Sequence, residues 1–138
     1  MPAKDIYHDT VKRALEKDGW IITHDPFNLK WGRKDAYVDL GAEKILSAEK
    51  EGRKIAVEIK SFAGKSEMRE LEIALGQFVF YRFLMQRYEP QRVLFLAVPK
   101  IAYNSLFISP EGLDLIENEK LKIIVYDINS EEIVRWIN

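Results

Sequence analysis

Glu58 and Lys60 are the residues of this sequence whose types and spacing best suit catalysis. They belong to a stretch, 53–60, in which apolar and polar residues alternate as they do in a half-buried strand. Side chains two positions apart on a strand project from the same face, so the acid and the amine share one small space while Ile59 packs into the core. Asp39 precedes them and would add a second carboxylate to the same site.

Two carboxylates and a backbone carbonyl are hard oxygen ligands of the kind that Mg²⁺ or Mn²⁺ prefers. A metal held by Asp39, Glu58 and the carbonyl of Ile59 would lower the pKa of a bound water and neutralise charge on a phosphate. Lys60 would orient the attacking water or stabilise charge on a non-bridging oxygen. The pattern therefore favours a divalent-metal site that cuts phosphodiester bonds. A glutamate and a lysine two residues apart are, taken alone, also typical of a solvent-facing strand.

Gln77 and Tyr81 support the interpretation as a metal site because they lie one turn apart on the same face of a predicted helix. The glutamine amide and the tyrosine hydroxyl could orient the metal-bound water, Lys60 or a phosphate. The alternative is that both are ordinary edge residues of an amphipathic helix, whose buried stripe would consist of Leu71, Leu75, Phe78, Leu84 and Met85.

The elements that must position these residues are predicted from hydrophobic periodicity, caps and turns. Helices are predicted at 4–18, 66–88 and 110–119, and strands at 20–23, 36–40, 44–49, 53–60, 92–98, 121–126 and 133–137. This order predicts an α/β fold with a mixed central sheet flanked by helices. The long helix is a natural crossover, so strand 92–98 should lie parallel to strand 53–60.

The position of Asp39 places a requirement on the backbone. A turn at Glu51 and Gly52 sets Glu58 opposite Ile45, which leaves Asp39 beyond the paired part of the hairpin. A bend or bulge at Gly41 would bring its carboxylate back toward Glu58, because glycine tolerates the backbone angles that this needs.

Composition limits the class of protein. A chain of 138 residues fits a single domain, 1–138. We expect a cytoplasmic protein, because no apolar run approaches a bilayer span, the first residues lack a secretory leader, and the absence of cysteine excludes disulfides and thiolate zinc sites. A net charge of −1 argues against a protein that coats nucleic acid through bulk charge. Lys30, Arg33 and Lys34 cluster around Trp31, and they are either solvated surface charges or a local basic surface.

The predicted helix 66–88 has more apolar residues than one buried stripe needs, since Ile73, Phe80 and Phe83 lie off that stripe. They are covered either by the C-terminal strands or by a partner. A twofold homodimer would suit a duplex substrate, because it presents two sites to two strands.

The order Asp39, then Glu58-Ile59-Lys60, then Gln77 to Tyr81 resembles the Asp, Glu-x-Lys and Gln-x-x-x-Tyr signature of the PD-(D/E)XK nuclease superfamily. That resemblance implies a restriction-endonuclease-like core. The whole chain, with its Met-Pro-Ala-Lys-Asp opening and its Val-Glu-Ile-Lys-Ser-Phe block, resembles the XisH family of fdxN element excision controlling factors of cyanobacteria. It implies a part in developmentally regulated DNA excision, alongside a site-specific recombinase and a companion controlling factor, XisI.

The chain departs from the superfamily pattern at two positions. Val38 stands where the name of the superfamily has a proline. Related nucleases often present a glutamate from the first helix, and that position falls near His8, with Asp9 adjacent; His8 would bind a metal only through water. His24 is interpreted as a surface residue at a strand end.

Two functions remain open from the sequence. The first is a Mg²⁺-dependent DNA endonuclease or nicking enzyme, with Asp39 and Glu58 as metal ligands, Lys60 as the catalytic cation, and Gln77 and Tyr81 as orienting residues. The second is a catalytically inactive adaptor with a nuclease fold, which regulates recombination by binding a recombinase, a companion factor or DNA.

Overall fold

A computed structural model describes residues 6–35 and 45–138 of the chain. The strands are β1 (Ile21–His24), β2 (Lys30–Trp31), β3 (Lys34–Asp35), β4 (Ile45–Lys50), β5 (Arg53–Ile59), β6 (Arg92–Pro99), β7 (Ile123–Asp127) and β8 (Glu132–Ile137). The helices are α1 (His8–Lys17), α2 (Glu67–Tyr88), α3 (Lys100–Leu106) and α4 (Pro110–Glu119). Within these residues the main sheet has six strands in the order β1-β4-β5-β6-β7-β8, and β2 and β3 form a separate hairpin.

The sheet is mixed, and its directions follow from the connections. A tight turn at Glu51 and Gly52, both with positive φ, joins β4 to β5, so these strands are antiparallel. The long helix α2 joins β5 to β6, which are parallel as predicted. Ile45 lies directly opposite Glu58, which confirms the predicted register of the β4–β5 hairpin.

The two faces of the sheet bury different residues of β5, because side chains alternate along a strand. Val57 and Ile59 pack against Val11 and Leu15 of α1 on one face. The opposite face packs against α2 through a cluster that includes Ala56, Phe78, Tyr81, Leu84, Leu94 and Leu96. Glu58 and Lys60 share their parity with Ala56, so their side chains point to the α2 side.

Most predicted elements are confirmed, with shifts of one or two residues at their ends. The first helix begins at His8 within the described residues, later than predicted, and β7 begins at Ile123 rather than at residue 121. Two elements were not predicted, namely α3 and the β2–β3 hairpin. The predicted strand 36–40 and the predicted bend at Gly41 lie outside the described residues.

The prediction of an α/β fold with a mixed central sheet flanked by helices is therefore confirmed. None of the helices in the described ranges is long and apolar enough to cross a bilayer. Burial of Ile73, Phe80 and Phe83 under the C-terminal strands is wrong, because these side chains are exposed on the outer face of α2.

Candidate active site at the carboxyl end of β5

An acid and an amine lie buried together where β5 ends. Glu58 has no exposed surface (0%) and Lys60 is only 6% exposed. The Lys60 ammonium nitrogen lies 3.9 Å from Oε2 of Glu58. The prediction that strand alternation places both side chains in one small space therefore agrees with the geometry, whereas a solvent-facing pair does not.

Lys60 is held by groups from three neighbouring elements. Its ammonium donates a hydrogen bond to Oε1 of Gln77 on α2, and its backbone N–H donates to the carbonyl of Ala97 on β6 at 3.1 Å. The hydroxyl of Tyr126 on β7 donates to the carbonyl of Lys60 at 3.1 Å. Because both the backbone and the side chain of Lys60 are fixed, its charge is preorganised in one position.

Tyr126 is the residue of this site that sequence reasoning missed. It is fully buried, and the ring of Tyr7 meets its ring edge to face at 6.2 Å between centroids. β7 neighbours β6 rather than β5, so the tyrosine must reach past β6 to the carbonyl of Lys60. No local pattern signals such a contact, because it depends on the order of the strands in the sheet.

Gln77 and Tyr81 both lie on the buried face of α2. Ser66 caps this helix by accepting a hydrogen bond from the N–H of Arg69 at 3.2 Å, which defines where the helix begins. The burial of Gln77 and Tyr81 contradicts the alternative that they are edge residues of an amphipathic helix. Gln77 contacts Lys60 directly, and Tyr81 lies one turn further along the same face.

Of the other two predicted metal ligands, Asp39 and Ile59, the structure describes only Ile59. Asp39 lies outside the described residues. Ile59 is the last residue of β5, and its side chain packs into the cluster on the α1 side of the sheet. In the ranges 6–35 and 45–138, no group of three or more histidine and acidic side chains is arranged to hold a metal ion. The described part of the predicted metal site thus supplies one carboxylate, that of Glu58.

His8 is buried but makes a different contact from the predicted water-mediated one. Its Nε2 atom lies 2.8 Å from Oδ1 of Asp25, and Lys12 binds the other carboxylate oxygen at 2.9 Å. Burial raises the pKa of Asp25, but the hydrogen bonds from Lys12 and His8 outweigh it and leave that pKa below its ordinary value. These contacts fasten the segment after β1 to α1. His24 is exposed at the end of β1, as predicted, and bonds Ser47 at 2.7 Å.

The fold and the site together define an α/β protein in which a buried glutamate–lysine pair ends a central strand and the crossover helix supplies a glutamine to the lysine. The chain belongs to the XisH family, whose model, described as "XisH protein", matches residues 1–134.

Two solved structures are similar to this chain along nearly its whole length. One is an XisH family protein from Nostoc punctiforme PCC 73102, with 43% identity and a TM-score of 0.88, covering 97% of this chain and 100% of the other. The second is an fdxN element excision controlling factor protein from Anabaena variabilis, with 42% identity and a TM-score of 0.87, covering 96% and 98%. Among curated proteins, nothing matches the chain.

Proposed function

We propose that this protein is an excision-controlling factor for a DNA element and that it acts as a Mg²⁺- or Mn²⁺-dependent DNA endonuclease or nicking enzyme. The relative from Anabaena variabilis is an fdxN element excision controlling factor, and membership of the same family supports the first part. The observation that carries the second part is the burial of Glu58 beside Lys60, with Gln77 hydrogen bonded to the lysine. In this proposal the domain has the restriction-endonuclease-like core of the PD-(D/E)XK superfamily.

The energetics of a buried ion pair support a chemical role. Removing two charges from water costs several kcal/mol per ion, and apolar residues of similar volume are often as stabilising or more so. A fold gains little by keeping Glu58 and Lys60 at the end of its central strand for stability alone. A lysine fixed beside a carboxylate, however, is suited to stabilise charge on a phosphate.

Each residue has a defined role in the proposed site. Asp39, Glu58 and the carbonyl of Ile59 would hold the metal, because carboxylate and carbonyl oxygens suit Mg²⁺ and Mn²⁺. The bound metal would supply Lewis-acid stabilisation and a water of lowered pKa. Lys60, positioned by Gln77, stabilises the charge that develops on a phosphate oxygen or orients the attacking water. Tyr81 orients the same groups from one turn further along α2.

Nicking of supercoiled and branched DNA with Mg²⁺ tests the proposal. We expect the wild-type protein to nick such DNA and Lys60→Met to be slower by at least about 100-fold, as for the loss of a group that stabilises transition-state charge. Lys54→Met is the matched control, because Lys54 lies on the same strand with the same parity, at the opposite end of β5. Equal nicking by Lys60→Met and the wild type would overturn the assignment.

Calorimetry with Mn²⁺ tests the metal ligands separately. We expect one site per chain in the wild type and no binding by an Asp39→Asn, Glu58→Gln double variant. Glu72→Gln is the control, because Glu72 is an exposed acid of α2. Equal binding by the double variant and the wild type would remove these residues from the metal site.

The second candidate is an adaptor that retains the fold without the reaction. The observation that favours it is the complete burial of Glu58, since a ligand or metal must reach this carboxylate. Such an adaptor would bind DNA, a site-specific recombinase or a companion factor similar to XisI, alone or as a homodimer. Excision in cells that depends on the protein but is unaffected by Lys60→Met would favour the adaptor.

A further inference from the structure

A cluster of aromatic side chains lies on the surface between the β2–β3 hairpin and the outer face of α2. Trp31 is 52% exposed and Phe83 is 51% exposed. The ring of Trp31 lies 5.5 Å from that of Phe80 and 6.2 Å from that of Phe83, between centroids. A large aromatic ring that remains half exposed while it contacts two others offers a flat surface on which a further planar group can stack.

The hairpin and the helix enclose a groove beside these rings. Its volume is about 260 Å³, and it is lined by Trp31, Gly32, Phe83, Leu84, Arg87 and Tyr88. Gly32 has a positive φ of 59° at the first position of the two-residue turn between β2 and β3, where glycine is favoured. The turn therefore presents Trp31 to α2 from a defined direction.

The charges around the groove favour an anionic occupant. Among the described residues that line it, Arg87 alone is charged, and its guanidinium lies over the ring of Tyr88 at 5.5 Å. The hairpin adds a second cation, the exposed Arg33 next to Gly32, although the whole chain has a net charge of −1. A second copy of the chain seated on this surface would bring arginines of both copies together, which electrostatic repulsion disfavours.

An occupant that is both planar and anionic matches both properties of the groove. We propose that it binds an unpaired nucleotide of single-stranded DNA, with the base stacked on Trp31 and the phosphate bound by Arg87. Exposed bases stack on aromatic side chains regardless of their sequence, while a duplex hides them within its own stack. The inference rests on the proposed function for its substrate class, DNA.

The groove and the candidate active site share the helix α2. The ring of Phe80, which contacts Trp31, lies 6.1 Å from the ring of Tyr81 on the buried side of the same helix. A DNA strand that leaves the site along α2 would therefore meet the groove. The groove would thus bind an unpaired strand further along α2 than the reacting phosphate.

Tryptophan fluorescence provides a direct test, because Trp31 is the exposed tryptophan of the chain. Trp20 is only 3% exposed, and Trp136 is partly buried against Trp20 and Phe95. We expect an oligothymidylate in EDTA, where no cleavage occurs, to quench the fluorescence of the wild type. Trp31→Phe should remove most of this quenching while leaving the affinity, measured by anisotropy of a labelled oligonucleotide, within about fivefold.

Variants that remove the stacking surface or the cation should weaken binding in different ways. Because stacking contributes about 1–3 kcal/mol per base, Trp31→Ala should weaken binding about 5- to 150-fold. Arg87→Ala should reduce the slope of log affinity against log salt by about 0.7, the value for one phosphate of a single strand. Arg69 is an exposed arginine on the same helix but outside the groove, so Arg69→Ala should leave the affinity and the salt slope unchanged.

The inference is overturned if oligothymidylate causes no quenching, if a duplex quenches as strongly, or if Trp31→Ala binds as the wild type does. A dimer in size-exclusion chromatography that Trp31→Ala dissociates, without quenching by DNA, would assign the groove to a second copy instead. Binding that depends on Trp31, in a protein that nicks no DNA, would support the groove and refute the nuclease. Nicking that depends on Lys60, with DNA binding that Trp31→Ala does not change, would support the nuclease and refute the groove.

Discussion

Replacing Lys60 with methionine removes the positive charge from a buried pair while keeping a long, unbranched side chain. Glu58 has no exposed surface, so its carboxylate then loses an opposite charge at 3.9 Å while it stays buried. The variant also removes the donor to Gln77. We expect Lys60→Met to lower the free energy of unfolding as well as any catalysis.

The separation of the charges sets the magnitude. At 3.9 Å and an effective dielectric constant of about 20, the Coulomb attraction between two unit charges is about 4 kcal/mol. Removing one partner of a buried pair costs about 3–5 kcal/mol. Replacing both partners by apolar groups costs much less, because no charge then remains to be desolvated.

A double-mutant cycle measured by urea unfolding separates these effects. We expect Lys60→Met and Glu58→Met each to destabilise the protein by about 3–5 kcal/mol, and the double variant to be less destabilised than the sum of the two. The coupling energy should be at least about 3 kcal/mol, at or above the upper end of the about 0.5–3 kcal/mol typical of contacting residues, because the double variant should be less destabilised than either single variant. Lys54→Met, a charge change at the other end of β5, should stay within about 0.5 kcal/mol.

Two outcomes would refute this reasoning. Strict additivity of the two single variants would mean that the charges do not interact. A double variant that regains stability and also nicks DNA would show that the pair is neither a structural necessity nor part of the reaction. The result that supports the proposed site is a double variant that is folded, stable and inactive.

Two further predictions concern the fold itself. A Cβ added to Gly112 would lie 2.4 Å from the carbonyl oxygen of Leu106, so Gly112→Ala should lower the free energy of unfolding by about 1–3 kcal/mol. A Cβ added to the helical Gly76 would meet nothing within 4 Å, so Gly76→Ala should raise the free energy of unfolding by up to about 1 kcal/mol. Urea unfolding measures both changes. Although burial raises the pKa of Asp25, the hydrogen bond from Lys12 helps to hold it below the ordinary 3.8. The carboxylate therefore stabilises the protein above this value and loses that contribution as the pH falls through the lowered pKa, so Asp25→Asn should reduce the loss of stability on acidification below about pH 5.

Local patterns were sufficient to predict the strand that carries the site. Alternation defined β5, and the turn at Glu51 and Gly52 determined its register with β4, so the position of Glu58 opposite Ile45 follows from local rules. The cap at Ser66 likewise determined where α2 begins. These features depend on residues close together in the chain, where propensity and geometry agree.

Contacts between distant elements could not be predicted in this way. Tyr126 reaches Lys60 only because β7 lies one strand beyond β6, a consequence of the order of the sheet. Helix α3 follows directly after β6, and its cap residue, Pro99, makes no side-chain hydrogen bond, so no capping signal separates strand from helix. The strands of the β2–β3 hairpin have two residues each, too few for a periodic pattern.

The residues of α2 depart from the distribution of an ordinary surface helix at a few positions, and the two proposals together explain why. A helix that only covers a core buries apolar side chains and exposes polar ones. This helix buries an apolar stripe but also buries Gln77, whose amide binds Lys60, and it exposes Phe80 and Phe83 beside Trp31. Burying an amide is favourable only where it has a partner, and exposed aromatic rings mark interaction sites. The same helix therefore serves the buried site with its inner face and, as we infer, an unpaired strand of the substrate with its outer face.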